Sequence, residues 1–366
     1  MLKFIAVLAI LFAAQAFAAG PVEHGVIFFE EDRFAGWPAN LGMWSWGDEI
    51  VCGFVVGHYK KNPRGGHDID SSRGSVKRLA RSLDGGHTWT IEKPSYLGED
   101  DRPGPVTELT SPVDFSNPDL AVRLRTNRVY YSTDRAKTWS GPHPLPSFGR
   151  PGLLARTDYI VEGPSRLTAF VATEKEGGRE GQTLCIRTED GGMTWDKVGW
   201  IGPQPPAGYG YAIMPATLAV PGGYLCIVRR GADFDGTRKW WIEGYLSPDD
   251  GKSWHLLAEP TIDNAGNPAT LTRLPNGDIA MTYGWRTAPY GIRARISEDE
   301  GQTWGREIIL RADAASWDIG YPRTVLRPDG LCVTTYYYHL PENKERFIGY
   351  TIWDPGTGSG IERSID

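Results

Sequence analysis

The chain has 366 residues, 23% of them charged, and a formal net charge of −6. Its charges are mixed in sign throughout, with no basic stripe to meet phosphates, which argues against nucleic acid as a partner. The one strongly apolar run lies near the N-terminus and is too short to span a bilayer, so no membrane anchor is expected.

That run opens the chain. Met1-Leu2-Lys3 supplies a charged start, Phe4 to Phe17 an apolar stretch, and Ala16-Phe17-Ala18 an A-x-A cleavage signal. Residues 1–19 are therefore expected to be a signal peptide and the protein to be secreted or periplasmic. No Cys follows the apolar run, so a lipid anchor is not expected there. Residues 20–366 carry no Ser/Gly/Pro-rich linker and no charge run, and read as a single domain of the size that repeat arrays reach.

Five copies of one motif punctuate this domain: Ser82–Trp89 (SLDGGHTW), Ser132–Trp139 (STDRAKTW), Thr188–Trp195 (TEDGGMTW), Ser247–Trp254 (SPDDGKSW) and Ser297–Trp304 (SEDEGQTW). Their starts are 50 to 59 residues apart, a period that signals stacked supersecondary units. The Asp suits a tight turn as acceptor of backbone N–H bonds. The Gly takes a positive φ at no steric cost, and the Trp fills apolar space between neighbouring units. Between the motifs lie short apolar or alternating runs such as Thr168–Ala172, Tyr224–Val228, Ile279–Tyr283 and Cys332–Tyr336. Turns such as Pro221-Gly222-Gly223 and Pro328-Asp329-Gly330 bound them, and no long helical periodicity appears. Each unit suits a four-stranded blade of an all-β propeller. Five boxed units and a boxless last one, from about Gly320 to Trp353, give six blades, with seven as the alternative. The strand at Val26–Phe29 is expected to complete the last blade and close the ring.

Cys52, Cys185, Cys226 and Cys332 each sit within an apolar strand of a different unit and read as free, buried thiols. There is no C-x-x-C and no His pair at metal-ligand spacing, so no metal and no cofactor is expected.

The repeated S-x-D-x-G-x-T-W resembles the Asp-box, or bacterial neuraminidase repeat, of the sialidase superfamily. The resemblance spans nearly the whole of residues 20–366, with Ala136 at the Gly position of the second box. It implies a six-bladed propeller of sialidase type, whose boxes lie away from the active site, so Asp84, Asp134, Asp190, Asp249 and Asp299 are structural. It further implies a Tyr nucleophile assisted by a Glu, an Asp acid/base and arginines that bind a sugar carboxylate. Tyr321, in Gly320-Tyr321-Pro322-Arg323, matches the nucleophile segment. Arg229 and Arg230 after one strand, and Arg286 beside Trp285 after the next, match arginines at strand ends. Arg293, Arg323 and Trp285 are further substrate-binding candidates, and Arg33 occupies the place of the family's first arginine without its R-I-P context. Asp68 is the expected acid, with Asp70 second, and His67 tunes it or acts itself. The assisting Glu has no counterpart where it is expected, at Ala212-Ile213-Met214-Pro215-Ala216.

These residues lead to an exported exo-glycosidase, acting as a monomer on a terminal acidic sugar, sialic acid or a uronate-like residue, of a glycan. Two other readings stay open: a propeller cleaving uronate linkages by elimination through a His/Tyr site, and a non-catalytic glycan-binding propeller.

Overall fold

A computed structural model describes residues 20–63, 65–176, 179–206 and 208–356. The expected signal peptide lies outside them. The described residues form 24 strands in six sheets and no α-helix, only two 3-10 turns at Pro38–Asn40 and Ser71–Arg73. None of their helices is long and apolar enough to cross a membrane.

The sheets are the six blades of a propeller, and the seven-blade alternative does not hold. From the axis outward, blade three is built from Tyr159–Val161, Leu167–Lys175, Arg179–Thr188 and Asp196–Ile201. Blade four uses Gly210–Val220, Gly223–Phe234, Thr237–Ser247 and His255–Ile262. Blade five uses Ala269–Arg273, Ile279–Trp285, Gly291–Ser297 and Ile308–Arg311. Blade one has Arg33–Gly36, Glu49–His58, Ser75–Ser82 and Thr90–Glu92, with Met43–Trp46 paired to the start of its second strand. Blade six combines Gly320–Leu326, Cys332–Tyr338 and Phe347–Asp354 with the N-terminal strand Gly20–Phe28, which pairs antiparallel with Phe347–Asp354 and closes the ring. Blade two differs, with only Ala121–Arg125, Arg128–Ser132 and Ser140–Pro144.

In the other boxed blades the box follows the third strand, whereas in blade two it follows the second of three. The strand missing from blade two is therefore the innermost. Strands alternate in direction, so all boxes fall on one face of the ring. The starts of the inner strands and the ends of the second strands fall on the opposite face.

Each box works as its residue types require. In the first, Asp84 Oδ1 accepts from the backbone N–H of His87 (3.1 Å) and Thr88 (2.9 Å), and Thr88 Oγ1 donates to Oδ2 at 2.6 Å. Ser82 Oγ donates to the same Asp and accepts from Gly86 N–H at 2.8 Å. Trp139, Trp195 and Trp304 are buried, while Trp89 and Trp254 are half-buried. In the second box Ala136 adopts φ 62°, the left-handed region that Gly86, Gly192, Gly251 and Gly301 occupy in the others. The fold imposes that conformation even where the residue does not favour it. All four cysteines are free and buried in their strands.

Candidate active site

The face opposite the boxes carries a cavity of about 990 Å³ at the axis, over blades three to six. Tyr321 is buried behind two of its lining residues, Arg229 and Arg286, in a conformation the chain has to enforce. Tyr321 sits at φ 50°, in a bulge that interrupts the pairing of Gly320–Leu326 with the next strand. A bulky residue in this region stores strain, which persists only where the surroundings hold it. Asn267 does the holding. It accepts from Tyr321 N–H at 2.9 Å and donates to Ile319 O at 2.8 Å. Gly284 and Gly320 make space for it, since a Cβ at either would come within 2.5 Å of the Asn267 amide. The inner strand of blade four is bulged in the same way at Met214-Pro215, with Met214 at φ 55°.

Arg229 donates from Nη1 to Tyr321 Oη at 3.0 Å, and its guanidinium carbon lies 5.7 Å from the Tyr321 ring centroid. Burial works to lower the Arg229 pKa, but the neighbouring Tyr321, Tyr211 and Glu180 outweigh it and hold the guanidinium charged. Arg286 approaches the same ring, at 5.5 Å. Its donors are largely committed: Nε and Nη2 to Ile319 O (3.1 and 3.0 Å), and Nη2 also to Tyr337 Oη at 2.8 Å. Sequence reasoning brings these three together, and the structure places them together: Arg229 and Arg286 line the cavity and flank Tyr321.

His67 stands behind the lining residue Trp317, at 6.1 Å between rings, without lining the cavity itself, and packs edge-on against Trp37 at 4.9 Å. Its Nδ1 pairs with Asp318 Oδ1 at 2.6 Å, and Nε2 has no hydrogen-bond partner among the described residues. A carboxylate partner fixes the proton on Nδ1 in the neutral ring. Tyr337 Oη also donates to Asp318 Oδ1, at 2.7 Å. Burial would raise the Asp318 pKa, but the His67 hydrogen bond and the charges of His67, Arg346 and Arg286 outweigh it and hold the carboxyl down at about 2. Asp318 is thus a permanent anion at neutral pH.

Other candidates lie elsewhere, each for a visible reason. The Asp68 carboxylate is buried and engaged: it accepts from Asn62 N–H at 2.8 Å, Lys61 Nζ at 3.2 Å and Arg346 Nη2 at 3.1 Å. It lines a different cavity, so the expectation that it joins Tyr321 is corrected. Through Arg346, 3.3 Å from Asp318 Oδ2, it instead buttresses the His67 partner. Asp70 caps the short turn at Ser71–Arg73. Arg33 pairs with His58 at 3.0 Å and Glu30 at 3.7 Å, outside the cavity lining. Arg230 alternates to the other face of its strand, against Glu243 at 3.2 Å and the Trp241 ring. Arg293 is buried on Glu307 and nearby carbonyls, and Arg323 ties Ala39 O and Thr157 O across the ring. Trp285 packs against the core of blade five and does not line the cavity.

The structure adds groups that the sequence reading missed. Glu180 is the sole carboxylate among the described lining residues, and Arg156 Nη2 stands 3.9 Å from it. Lys175, Tyr209, Tyr211, Arg238 and Trp240 form the wall on blades three and four. Where a Glu was sought, the Met214 sulfur instead receives an Arg229 N–H at 3.5 Å. Aromatic-rich inner strands hinted at this wall, but nothing in the local sequence singles out Glu180 or Asp318.

A six-bladed propeller with a polar, aromatic-walled cavity at one end of its axis defines the class. The chain matches the BNR repeat-like domain over residues 109–334 and belongs to that family. Among solved structures it is similar to a protein of unknown function from Dyadobacter fermentans, with 22% identity, a TM-score of 0.64, and 92% of this chain and 98% of that one covered. It is also similar to the α-L-arabinanase of Penicillium chrysogenum complexed with arabinobiose, at 15% identity and TM-score 0.54 over 92% of this chain and 99% of that one. The Trypanosoma rangeli sialidase in complex with sialic acid is a third, at 13% identity and TM-score 0.53 over 92% of this chain and 60% of that one. At these identities the likeness is one of fold. No curated protein matches the chain significantly.

Proposed function

We propose that this propeller is an exported glycosidase that removes a terminal acidic sugar, of sialic acid or uronate type, from a glycan. The observation that carries the reading is Tyr321, held in a strained conformation beside the cavity with its hydroxyl on the lining residue Arg229. A Tyr hydroxyl titrates near ~10 when unperturbed and needs cations and a base to act at neutral pH. Arg229 supplies the cation, and Glu180 is the carboxylate available in the cavity to take the proton. The solved neighbours include proteins that bear the names of a sialidase and an arabinanase, which supports a glycan substrate.

In this reading the Tyr321 oxygen attacks the anomeric carbon while its proton passes to Glu180. The glycosidic bond breaks, and the departing oxygen takes a proton from His67 Nε2, while Nδ1 stays hydrogen-bonded to Asp318 Oδ1. Water, deprotonated by the now neutral His67, then attacks the anomeric carbon and breaks its bond to Tyr321, whose oxygen takes its proton back from Glu180. Arg229 binds the sugar carboxylate as well as the phenolate, a pairing suited to planar forked donors.

The His67–Asp318 pair also favours a second reading, elimination across a uronate linkage with neutral His67 as base. One experiment separates them. The protein is incubated with an aryl sialoside, an aryl uronide and a polyuronate. Release of saturated sugar that Tyr321→Phe abolishes supports hydrolysis through Tyr321. An unsaturated, ultraviolet-absorbing product selects elimination. Glycan binding without any product rejects both.

A further inference from the structure

Blade two lacks an inner strand, so the backbone donors on the inner side of Ala121–Arg125 and the turn after it, those of Val122, Leu124 and Thr126, face the axis without a ladder partner. Blade three caps them piecemeal. Tyr159 Oη accepts from Val122 N–H at 3.2 Å, Thr157 Oγ1 from Leu124 N–H at 3.3 Å, and Ala155 O from Thr126 N–H at 3.1 Å. Alternating strand direction brings cations of three blades to the cavity face around this patched edge: Lys77 near the start of Ser75–Ser82 in blade one, Arg125 at the end of Ala121–Arg125 in blade two with Arg123 two residues before it, and Arg156 just ahead of Tyr159–Val161 in blade three.

They are poorly compensated. Arg123 is fully buried between the rings of Tyr96 and Tyr130, 4.6 and 4.7 Å from their centroids, and its Nε and Nη1 have no hydrogen-bond partner. Neither Lys77 nor Arg125 has a carboxylate within 4.0 Å among the described residues. Asp101, whose charge reaches Lys77, is already bound by two Arg78 donors at 2.8 and 3.2 Å. Burial and the charges of Arg156 and Arg123 push Arg125 down to about 10, and burial with Arg125 and Arg123 lowers Lys77. Both are half-buried and partly open to solvent. Like charges gathered in a partly desolvated place repel, and an arriving anion relieves that repulsion. Arg156 joins this edge to the main cavity, because its Nη2 lies 3.9 Å from Glu180, which lines that cavity.

We propose that the open edge of blade two is a second anion subsite, at which Lys77 and Arg125 take a carboxylate or sulfate group on a sugar further along the chain whose end occupies the cavity. The substrate is then a polyanionic glycan and not a neutral chain with one acidic end. The proposal rests on the glycan reading above, but not on its chemistry.

The test is a binding measurement in Tyr321→Phe protein, so that turnover plays no part. The probes are uronate oligosaccharides of two and four residues, their carboxyl-reduced forms, and a sulfated neutral tetrasaccharide. Calorimetric affinities are compared for proteins with and without Lys77→Gln and Arg125→Gln, singly and together. We expect the double substitution to weaken the tetrasaccharide by roughly tenfold, as the loss of charge-assisted contacts implies, and to leave the disaccharide nearly unchanged. Which tetrasaccharide responds tells carboxylate from sulfate. The thermal midpoint should not fall, because the substitutions remove repulsion. Equal binding of charged and reduced tetrasaccharides, an unchanged affinity in the double variant, or no binding by the parent overturns the subsite. If Tyr321→Phe still cleaves substrate while the charge dependence holds, the catalytic reading fails and the subsite stands.

Discussion

The two faces of this ring are built on opposite plans. On one, each Asp-box closes on itself, with bonds that reach two to four residues along the chain, as from Asp84 to Ser82, His87 and Thr88. On the other, the links join residues far apart: Arg229 to Tyr321 across 92 positions, His67 to Asp318 across 251, and Arg346 to Asp68 across 278. The box face is local and present in five copies. The cavity face is non-local and present once. Damage to a box should cost stability and leave chemistry alone, whereas damage in the cavity should do the reverse.

The sharpest way to break that contrast is at Tyr321. Tyr321→Phe should lower turnover by about 10⁴-fold or more with binding nearly intact, as for other nucleophiles that act as part of a unit, and steady-state kinetics on the cleaved glycan checks it. His67→Ala should cost roughly 10²- to 10⁴-fold in kcat, the range of a general acid, and should remove the alkaline limb of the pH–rate profile, where loss of the imidazolium proton ends activity. A merely structural His would leave that limb in place. On the box face, Trp139→Ala should destabilise the fold by roughly 3–5 kcal/mol in denaturant titration while kcat/KM stays within about twofold. A matching loss of activity in the folded variant would erase the distinction between the faces. Ala136→Gly should act in the opposite sense and stabilise by about 0.5–1 kcal/mol, because Gly takes the left-handed conformation without the Cβ penalty.

The smallest effect concerns acid. Bonds from Ser253 hold Asp249 at about 2, and in the other boxes similar bonds outweigh burial and lower Asp84, Asp134, Asp190 and Asp299. With folded values below the unfolded one near ~3.9, the boxes contribute their full stability above about pH 4 and lose it as pH falls towards 2. A thermal midpoint followed from pH 5 to pH 2 should show this decline, and Asp249→Asn should make it shallower.

The same contrast explains what could be read from the sequence. A box is eight consecutive residues, so its turn, its buried Trp and its spacing are visible in one dimension, and they carry the blade count with them. Tyr321, Arg229 and Arg286 were legible because each sits at a recognisable strand end in its own blade. Asp68 was misplaced because its neighbours in sequence do not reveal Arg346, the distant partner that draws it away from the cavity. Arg230 and Arg293 were misjudged because alternation along a strand turns a side chain outward, and register by one residue decides the face. Glu180 and Asp318 have no local signature at all. Their place follows only from how the six blades are set around the axis.

The closure of the ring has a consequence for how the molecule is made. Gly20–Phe28 is the outermost strand of blade six, and its partner, Phe347–Asp354, is the last strand of the described chain. During synthesis the first strand to emerge must therefore wait for the last. Until then it is an unpaired edge, open to pairing with other chains, and Val22 and Val26 on it stay exposed even in the closed ring. Joining segments so far apart carries the largest loop-closure entropy in the fold and belongs to a late, slow step. The clasp that seals the finished ring is also the point at which an unfinished one is most easily captured by a neighbour.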